Sequence, residues 1–366
     1  MTTTLNSPPG AVPDAPAIPG LSLRAATPGD WGTLSDVLNR ARAADGVDEV
    51  ISADTLQAEY APLDDFDLGR DVLIAEVDGA AAGAVFGYRV ARGSGLVLET
   101  WGAVLAEHRG RGIGTALHRA TRARLAAEAA ADPRPGPRSY RAYALDIERA
   151  DLALLEAEGY VPIRYGFEMR RPITGRLPEH ALPDGLELRP VTPDRHRQIF
   201  DADNEAFRDH WGHREMTDGD FTARFGSPDT DTSLWCVAWD GNEVAGVVMN
   251  AIFREENEQL GVARGWLDHV SVRRPWRGRG VAKALCAASF RVLRERGMTE
   301  AWLGVDGKNP TGALGLYEAL GFVVARRWQA FGRPLDGPAP AGWLPEGDDP
   351  SGSDGPGAGE QGTPAT

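Results

Sequence analysis

The chain has 366 residues, 42% of them hydrophobic, and a formal net charge of −14 at pH 7. That length suits two domains better than one, and the apolar content is enough for real cores. The acidic balance argues against a general binder of nucleic acid or of anionic membrane, and it suits a cationic or amine substrate. The two cysteines, Cys236 and Cys286, lie in apolar stretches and read as buried free thiols. There is no signal-peptide h-region and no long uncharged apolar run, so a cytoplasmic protein is expected, with no nucleic-acid or membrane partner, as a monomer or homodimer.

Residues 1–20 are rich in Pro, Ala and Thr and read as a disordered tail. The sequence then repeats itself at an offset of roughly 165 residues, about one domain length. LSLRAATPGDW (Leu21–Trp31) answers LELRPVTPDRH (Leu186–His196), and VLIAEVDGAAAGAVFGY (Val72–Tyr88) answers LWCVAWDGNEVAGVVMN (Leu234–Asn250). HRGRGIGTAL (His108–Leu117) answers WRGRGVAKAL (Trp276–Leu285), and the segments at Glu156–Ile173 and Glu318–Leu335 also match. The first copy therefore spans 21–173 and the second 186–335, joined by a Pro- and Gly-rich linker over 174–185 and followed by a second disordered tail over 336–366.

Each copy reads as strand, helical region, hairpin, strand–loop–helix, strand, helix, strand. The hairpin turns are placed at Asp78-Gly79 and Asp240-Gly241. In the second copy, Arg294-Glu-Arg296 followed by Gly297 supplies the cations and the glycine that end a helix. A short helix is expected at Leu314–Leu320. The fold class is mixed α/β with crossovers.

The chemistry concentrates in Trp266–Leu285, WLDHVSVRRPWRGRGVAKAL. Alternation over Leu267–Val272 gives a strand, Arg277-Gly-Arg-Gly280 a basic turn, and Val281, Ala284, Leu285 and Ala288 one face of a helix. A strand, a glycine-rich turn and a helix start make an anion site, because the first helical N–H groups lack intrahelical partners and the helix dipole is positive there. A Walker loop is excluded by the missing Gly-Lys-Ser/Thr, and the dinucleotide fingerprint by the glycine spacing.

The pattern Arg-x-x-Gly-x-Ala (Arg277, Gly280, Ala282) resembles the acetyl-CoA pyrophosphate loop of the GNAT N-acetyltransferase family. Asn309…Ala313-x-x-Leu316-Tyr317-x-x-x-Gly321-Phe322 resembles its second motif, with Asn309 one position further from Tyr317 than in the commonest form. The resemblance implies two tandem acyl-CoA N-acyltransferase domains, with acetyl-CoA as cosubstrate and no metal. It places cofactor contacts at Val270, Val272, Arg277, Gly278, Arg279, Gly280, Val281, Ala282 and Asn309. Two strands would part at a bulge to admit the pantetheine arm, with backbone N–H groups facing the thioester oxygen. By the same resemblance Tyr317 is the general acid for the leaving sulfur, since a phenol stays protonated at neutral pH.

Asp268, on the motif strand, is the side-chain candidate for the base, although family members also use water. His269 points to the opposite face in an ideal strand, an assignment that a bulge reverses. Asn204–His213 reads first as a structural helix end and second, through Asp209, His210 and Trp211, as a substrate wall; His210 and His213 have metal-compatible spacing, but no matching ligand set accompanies them.

The first copy keeps the loop, with Val104, Arg109, Gly110, Arg111, Gly112, Ile113 and Gly114 as candidate cofactor contacts, but Leu155 stands where the second has Tyr317. A leucine cannot donate a proton, so this copy is expected to be catalytically weak or dead; Glu99 and Trp101 on its strand read as core and surface residues before they read as serving another acid. The expected activity is N-acetylation of a small-molecule or peptide amine in the second copy. Tandem members that acetylate a cysteinyl pseudodisaccharide are the narrower parallel, and a non-catalytic acyl-CoA-binding scaffold is the rival from another class.

Overall fold

The computed structural model describes residues 18–92, 95–308, 312–340 and 342–345. Asn309 lies outside them. The first repeat runs β1 (Leu21–Ala25), α1 (Trp31–Asp45), α2 (Ala53–Tyr60), α3 (Leu68–Asp71), β2 (Val72–Val77), β3 (Ala80–Arg92), β4 (Gly95–Val104), α4 (Ile113–Ala131), β5 (Arg138–Leu145), α5 (Arg149–Ala157) and β6 (Val161–Pro172). The second runs β7 (Leu186–Arg189), α6 (His196–Phe207), α7 (Asp218–Gly226), β8 (Cys236–Asp240), β9 (Glu243–Ala251), α8 (Arg254–Leu260), β10 (Arg264–Val272), α9 (Val281–Glu295), β11 (Glu300–Asp306), α10 (Ala313–Ala319) and β12 (Val323–Pro334).

Local chemistry accounts for the boundaries. Asp78 and Gly79 both take positive φ, 52° and 80°, as a two-residue hairpin with right-handed twist requires. The second hairpin is shifted by one residue from its expected position. Asp240 still pairs with Glu243, so Gly241-Asn242 makes the turn with the glycine first. α9 stops where expected, with Gly297 at φ 85° donating its N–H to the Arg294 carbonyl at 3.0 Å. Along β3 the two sheet faces separate cleanly. Ala84 and Phe86 pack with Trp31, Leu34, Leu38 and Leu56 on the α1–α2 side, whereas Val85 packs with Ile113 and Leu117 of α4, joined there by Ala82, the extra residue of a bulge opposite Ala75 and Glu76.

The twelve strands of the described residues join one sheet, in the order β1-β2-β3-β4-β5-β12-β6-β11-β10-β9-β8-β7. The two repeats therefore exchange their last strands. β12 pairs with β5 of the first repeat, β6 pairs with β11 of the second, and the two exchanged strands pair with each other. Buried arginines fasten this seam. Arg164 on β6 holds both carboxylate oxygens of Asp306 at 2.8 and 2.6 Å. Asp48, after α1, accepts from Arg264 at 2.6 Å and from Arg326 at 2.9 Å. Trp211, between α6 and α7, lies under the guanidinium groups of Arg141 and Arg164 at 4.5 and 5.5 Å, which makes it a clasp between repeats.

The start of the expected C-terminal tail is docked rather than loose. Ala339 donates its N–H to the Gly159 carbonyl at 2.9 Å, and the Trp343 ring lies against Gly332. A proline-bordered tryptophan gives this stretch apolar surface to bury.

Candidate acyl-transfer site

β10 carries a bulge. Leu267 pairs with Asn250 and His269 with Met249, which leaves Asp268 as the extra residue. On its other side β10 pairs in parallel with β11 only at Arg264, Gly265 and Trp266, so the two strands diverge beyond Trp266. The edge of Leu267–Val272 that faces β11, including Val270 and Val272, has no strand partner there. The first repeat also parts its strands, with β4 and β5 pairing only as far as Thr100 and Ala142, but the β3–β4 ladder contains no bulge.

The loops after these strands are duplicates in detail. Gly278 and Gly280 have φ of 73° and 89°, and Gly110 and Gly112 have 70° and 87°, values open to glycine at little cost. Arg277 donates its Nε to the Val272 carbonyl at 2.9 Å and reaches the Ala206 carbonyl and Asp209 with its other nitrogens. Arg109 does the same with Val104, Ala41 and Asp45. These arginines fix the two loops to the ends of α6 and α1, respectively, instead of extending toward an anion. Asp209 is the counterpart of this anchor and no substrate wall; hydrogen bonds from Arg274 and Arg277 hold its carboxyl well below the usual carboxylate range. What remains open to a pyrophosphate is the start of α9 at Val281 and Ala282 and the exposed Arg279, which makes no ion pair among the described residues. The parted strands, the two glycines and this helix start fit a CoA thioester.

Tyr317 is 6% exposed, and its ring meets Phe322 edge-on at 5.9 Å between centroids. Burial, with Cys286 alongside, pushes the phenol well above its ordinary range, so it stays protonated at neutral pH. Cys236 and Cys286 are both free and buried. Asp268 pairs with Arg224 at 2.9 Å. His269 hydrogen-bonds Asp203 through Nδ1 and Arg224 through Nε2, each at 2.8 Å. The bulge turns both Asp268 and His269 into one cavity of about 720 Å³ between the repeats, lined also by Glu59, Glu99, Asp220 and Asp229. His210 packs on Phe207 at 4.3 Å, and burial lowers its imidazole pKa.

A second cavity, of about 790 Å³, lies within the first repeat along Val104, Arg109, Gly110, Gly112, Ile113 and Gly114 and past Leu155. Arg111 turns to His108 at 3.2 Å instead. Glu99 and Trp101 line this cavity too. Glu99 pairs with Arg92 at 3.0 Å, and Trp101 stacks on Phe86 at 4.3 Å. Glu59, Tyr60, Tyr88 and Glu99 border both cavities, so the two spaces adjoin. His118, 5% exposed on the wall, has its imidazole driven down to about 3 by burial and by Arg122, Arg333 and Arg119, and it is neutral. Sequence reasoning passed over Asp203 and Arg224 entirely. The Asp203–His269 contact joins residues far apart in the chain and depends on a bulge, and no spacing rule encodes it.

A mixed sheet with two parted parallel pairs, each followed by a glycine loop and a helix start, defines a double-lobed acyltransferase. Residues 196–322 match the model of the acetyltransferase (GNAT) family. A mycothiol acetyltransferase of Salinispora arenicola is 32% identical over 81% of this chain and 91% of its own length, and one of Nocardiopsis dassonvillei is 30% identical over 78% and 87%. The crystal structure of a GCN5-related N-acetyltransferase from Sphaerobacter thermophilus superposes with a TM-score of 0.67 at 25% identity, covering 88% of this chain and 98% of that one. A tandem GNAT protein from the clavulanic acid biosynthesis pathway shares the fold, at a TM-score of 0.64 and 18% identity over 87% of this chain and all of its own. The chain belongs to the GNAT acetyltransferase family and is an acyltransferase of two GNAT domains. No helix among the described residues is long and apolar enough to cross a membrane.

Proposed function

We propose that the second lobe transfers the acetyl group of acetyl-CoA to the primary amine of a small molecule or peptide bound between the lobes. The observation that carries this reading is the parting of β10 and β11 after Trp266, next to the bulge whose Asp268 and His269 line the acidic cleft. Acetyl-CoA supplies an activated acyl group. The N–H groups at the start of α9 and the Arg279 side chain would hold its phosphates, and backbone groups near Val270 would orient the thioester oxygen. The Tyr317 hydroxyl would give its proton to the departing sulfur. Glu59, Asp229 and Asp268 draw a cationic amine into the cleft. Because relatives carry the name mycothiol acetyltransferase, the amine of a cysteinyl pseudodisaccharide is the first acceptor to try.

The first lobe has the glycine loop and the larger cavity but Leu155 in the donor position. We assign it acyl-CoA binding without transfer. Free-thiol release, measured with acetyl-CoA and a panel containing that amine, glucosamine and spermidine, tests the reading. Amine-dependent release supports it. Tight acetyl-CoA binding with no release above background would leave a non-catalytic acyl-CoA-binding protein.

A further inference from the structure

The proton that must leave the acceptor ammonium needs a destination, and the structure offers a better one than Asp268. That carboxylate is 41% exposed and engaged by Arg224. His269, the next residue, is oriented from behind. Its Nδ1 lies 2.8 Å from the carboxylate of Asp203, whose side chain is 1% exposed at the inner face of α6. Its Nε2 lies 2.8 Å from a nitrogen of Arg224, and the residue lines the cleft between the lobes. A guanidinium only donates, so Nε2 presents its lone pair and Nδ1 carries the hydrogen donated to Asp203. That is the tautomer a general base requires. Phe207 closes one side of the ring at 5.0 Å. Burial pushes the Asp203 carboxyl up, but the facing imidazole, Ser271 and Arg224 outweigh it and keep the group ionised.

We infer that His269 is the proton acceptor for the amine and that Asp203 is the residue that positions it. Arg224 marks where the substrate goes, since a cationic N–H donor already occupies the Nε2 lone pair. Asp268, holding Arg224 from its other side, gives that guanidinium an alternative partner when an ammonium arrives. The inference rests on the proposed amine acetylation. In the balanced step, Nε2 takes one proton from the ammonium. The freed nitrogen pair forms the N–C bond as the C–S bond breaks, and the sulfur leaves with the bonding pair and takes the Tyr317 proton. The second proton on nitrogen restores the phenol, and the imidazolium returns its proton to water. Amide, free thiol and one proton result.

Three measurements on the full chain test this, with glucosamine and the cysteinyl pseudodisaccharide amine as acceptor probes. His269→Ala should lower kcat by roughly 10²–10⁴-fold while leaving the acetyl-CoA Kd unchanged, and added imidazole should restore part of the lost turnover. Asp203→Asn should lower kcat by about 10²-fold or more, because an amide can donate to Nδ1 and so favours the wrong tautomer. Long-range ¹⁵N spectra of histidine-labelled protein, with the His269 signal assigned by its loss in His269→Gln, should show Nδ1–H in the wild type and a shift toward Nε2–H in Asp203→Asn. Wild-type turnover retained in His269→Ala would overturn the assignment, as would a loss that imidazole does not restore in a variant that binds acetyl-CoA normally. If the wild type acetylates neither probe, the proposed function is what fails. The spectra then decide the dyad alone, and an Nε2–H wild type, or one indifferent to Asp203→Asn, overturns it.

Discussion

Arg164 and Asp306 face each other across the seam where the lobes exchange strands, with both carboxylate oxygens bound by one guanidinium. Arg164 has a side chain only 4% exposed and also donates to the Lys308 carbonyl at 3.1 Å, so the first lobe sets the end of the second lobe's β11. Removing one partner of such a buried pair strands the other charge. Arg164→Leu should cost about 3–5 kcal/mol, read from urea unfolding of wild type and variant. A change under about 1 kcal/mol, the value of a surface pair, would show that the seam does not depend on it.

Strand exchange also predicts how the protein can be divided. Cutting within 174–185 leaves the first fragment without β12 beside β5 and the second without β6 beside β11. Each would expose an unpaired strand edge. We expect fragments 1–180 and 181–366 to be insoluble apart and to form a folded complex when co-expressed. A soluble, acetyl-CoA-binding second fragment produced alone would show that the exchange is dispensable.

Glu59 stands at the border of both cavities, and its carboxyl is pushed up to about 7 by desolvation, with the charges of Asp268 and Asp229 adding to the effect. Below that pH it is neutral and above it is anionic. The KM for a cationic acceptor should therefore fall as pH rises through 7, and Glu59→Gln should flatten that fall while raising KM at pH 8. An unchanged KM–pH curve in the variant would remove Glu59 from acceptor binding.

In the first lobe the Asp151 carboxyl lines the cavity and is pushed up to about 7 by burial, followed by the charges of Glu148 and Asp45. Arg109 is held by Asp45, so ionised Asp151 repels an anionic ligand there. Calorimetric titration should show acetyl-CoA binding to this lobe weaken as pH rises from 6 to 8, with Asp151→Asn abolishing the trend. Identical isotherms would mean that the cofactor does not enter this cavity.

The repeats, the first hairpin, the loop glycines and the buried cysteines were legible because each follows from local chemistry: the Asp-Gly turn at Asp78 and Gly79, helix-start N–H groups after Gly280, apolar runs around Cys286. The strand exchange was not, since β6 and β12 have the same pattern whichever β5-like neighbour they choose. Arg277 and Arg109 looked like anion ligands because charge is visible in a sequence and Asp209 or Asp45 at their tips is not. An ideal strand turns His269 away from Asp268, and the extra residue at Asp268 is the bulge that reverses that alternation, a feature whose position no residue pattern marks.

Chemistry confined to the second lobe and running through Tyr317 makes Tyr317→Phe the decisive variant. The variant keeps the ring against Phe322 and removes only the hydroxyl. Turnover of acetyl-CoA with the accepted amine should fall by roughly 10²-fold or more, with acetyl-CoA affinity and thermal stability close to wild type. Undiminished turnover in Tyr317→Phe would contradict the account and move the proton donor elsewhere.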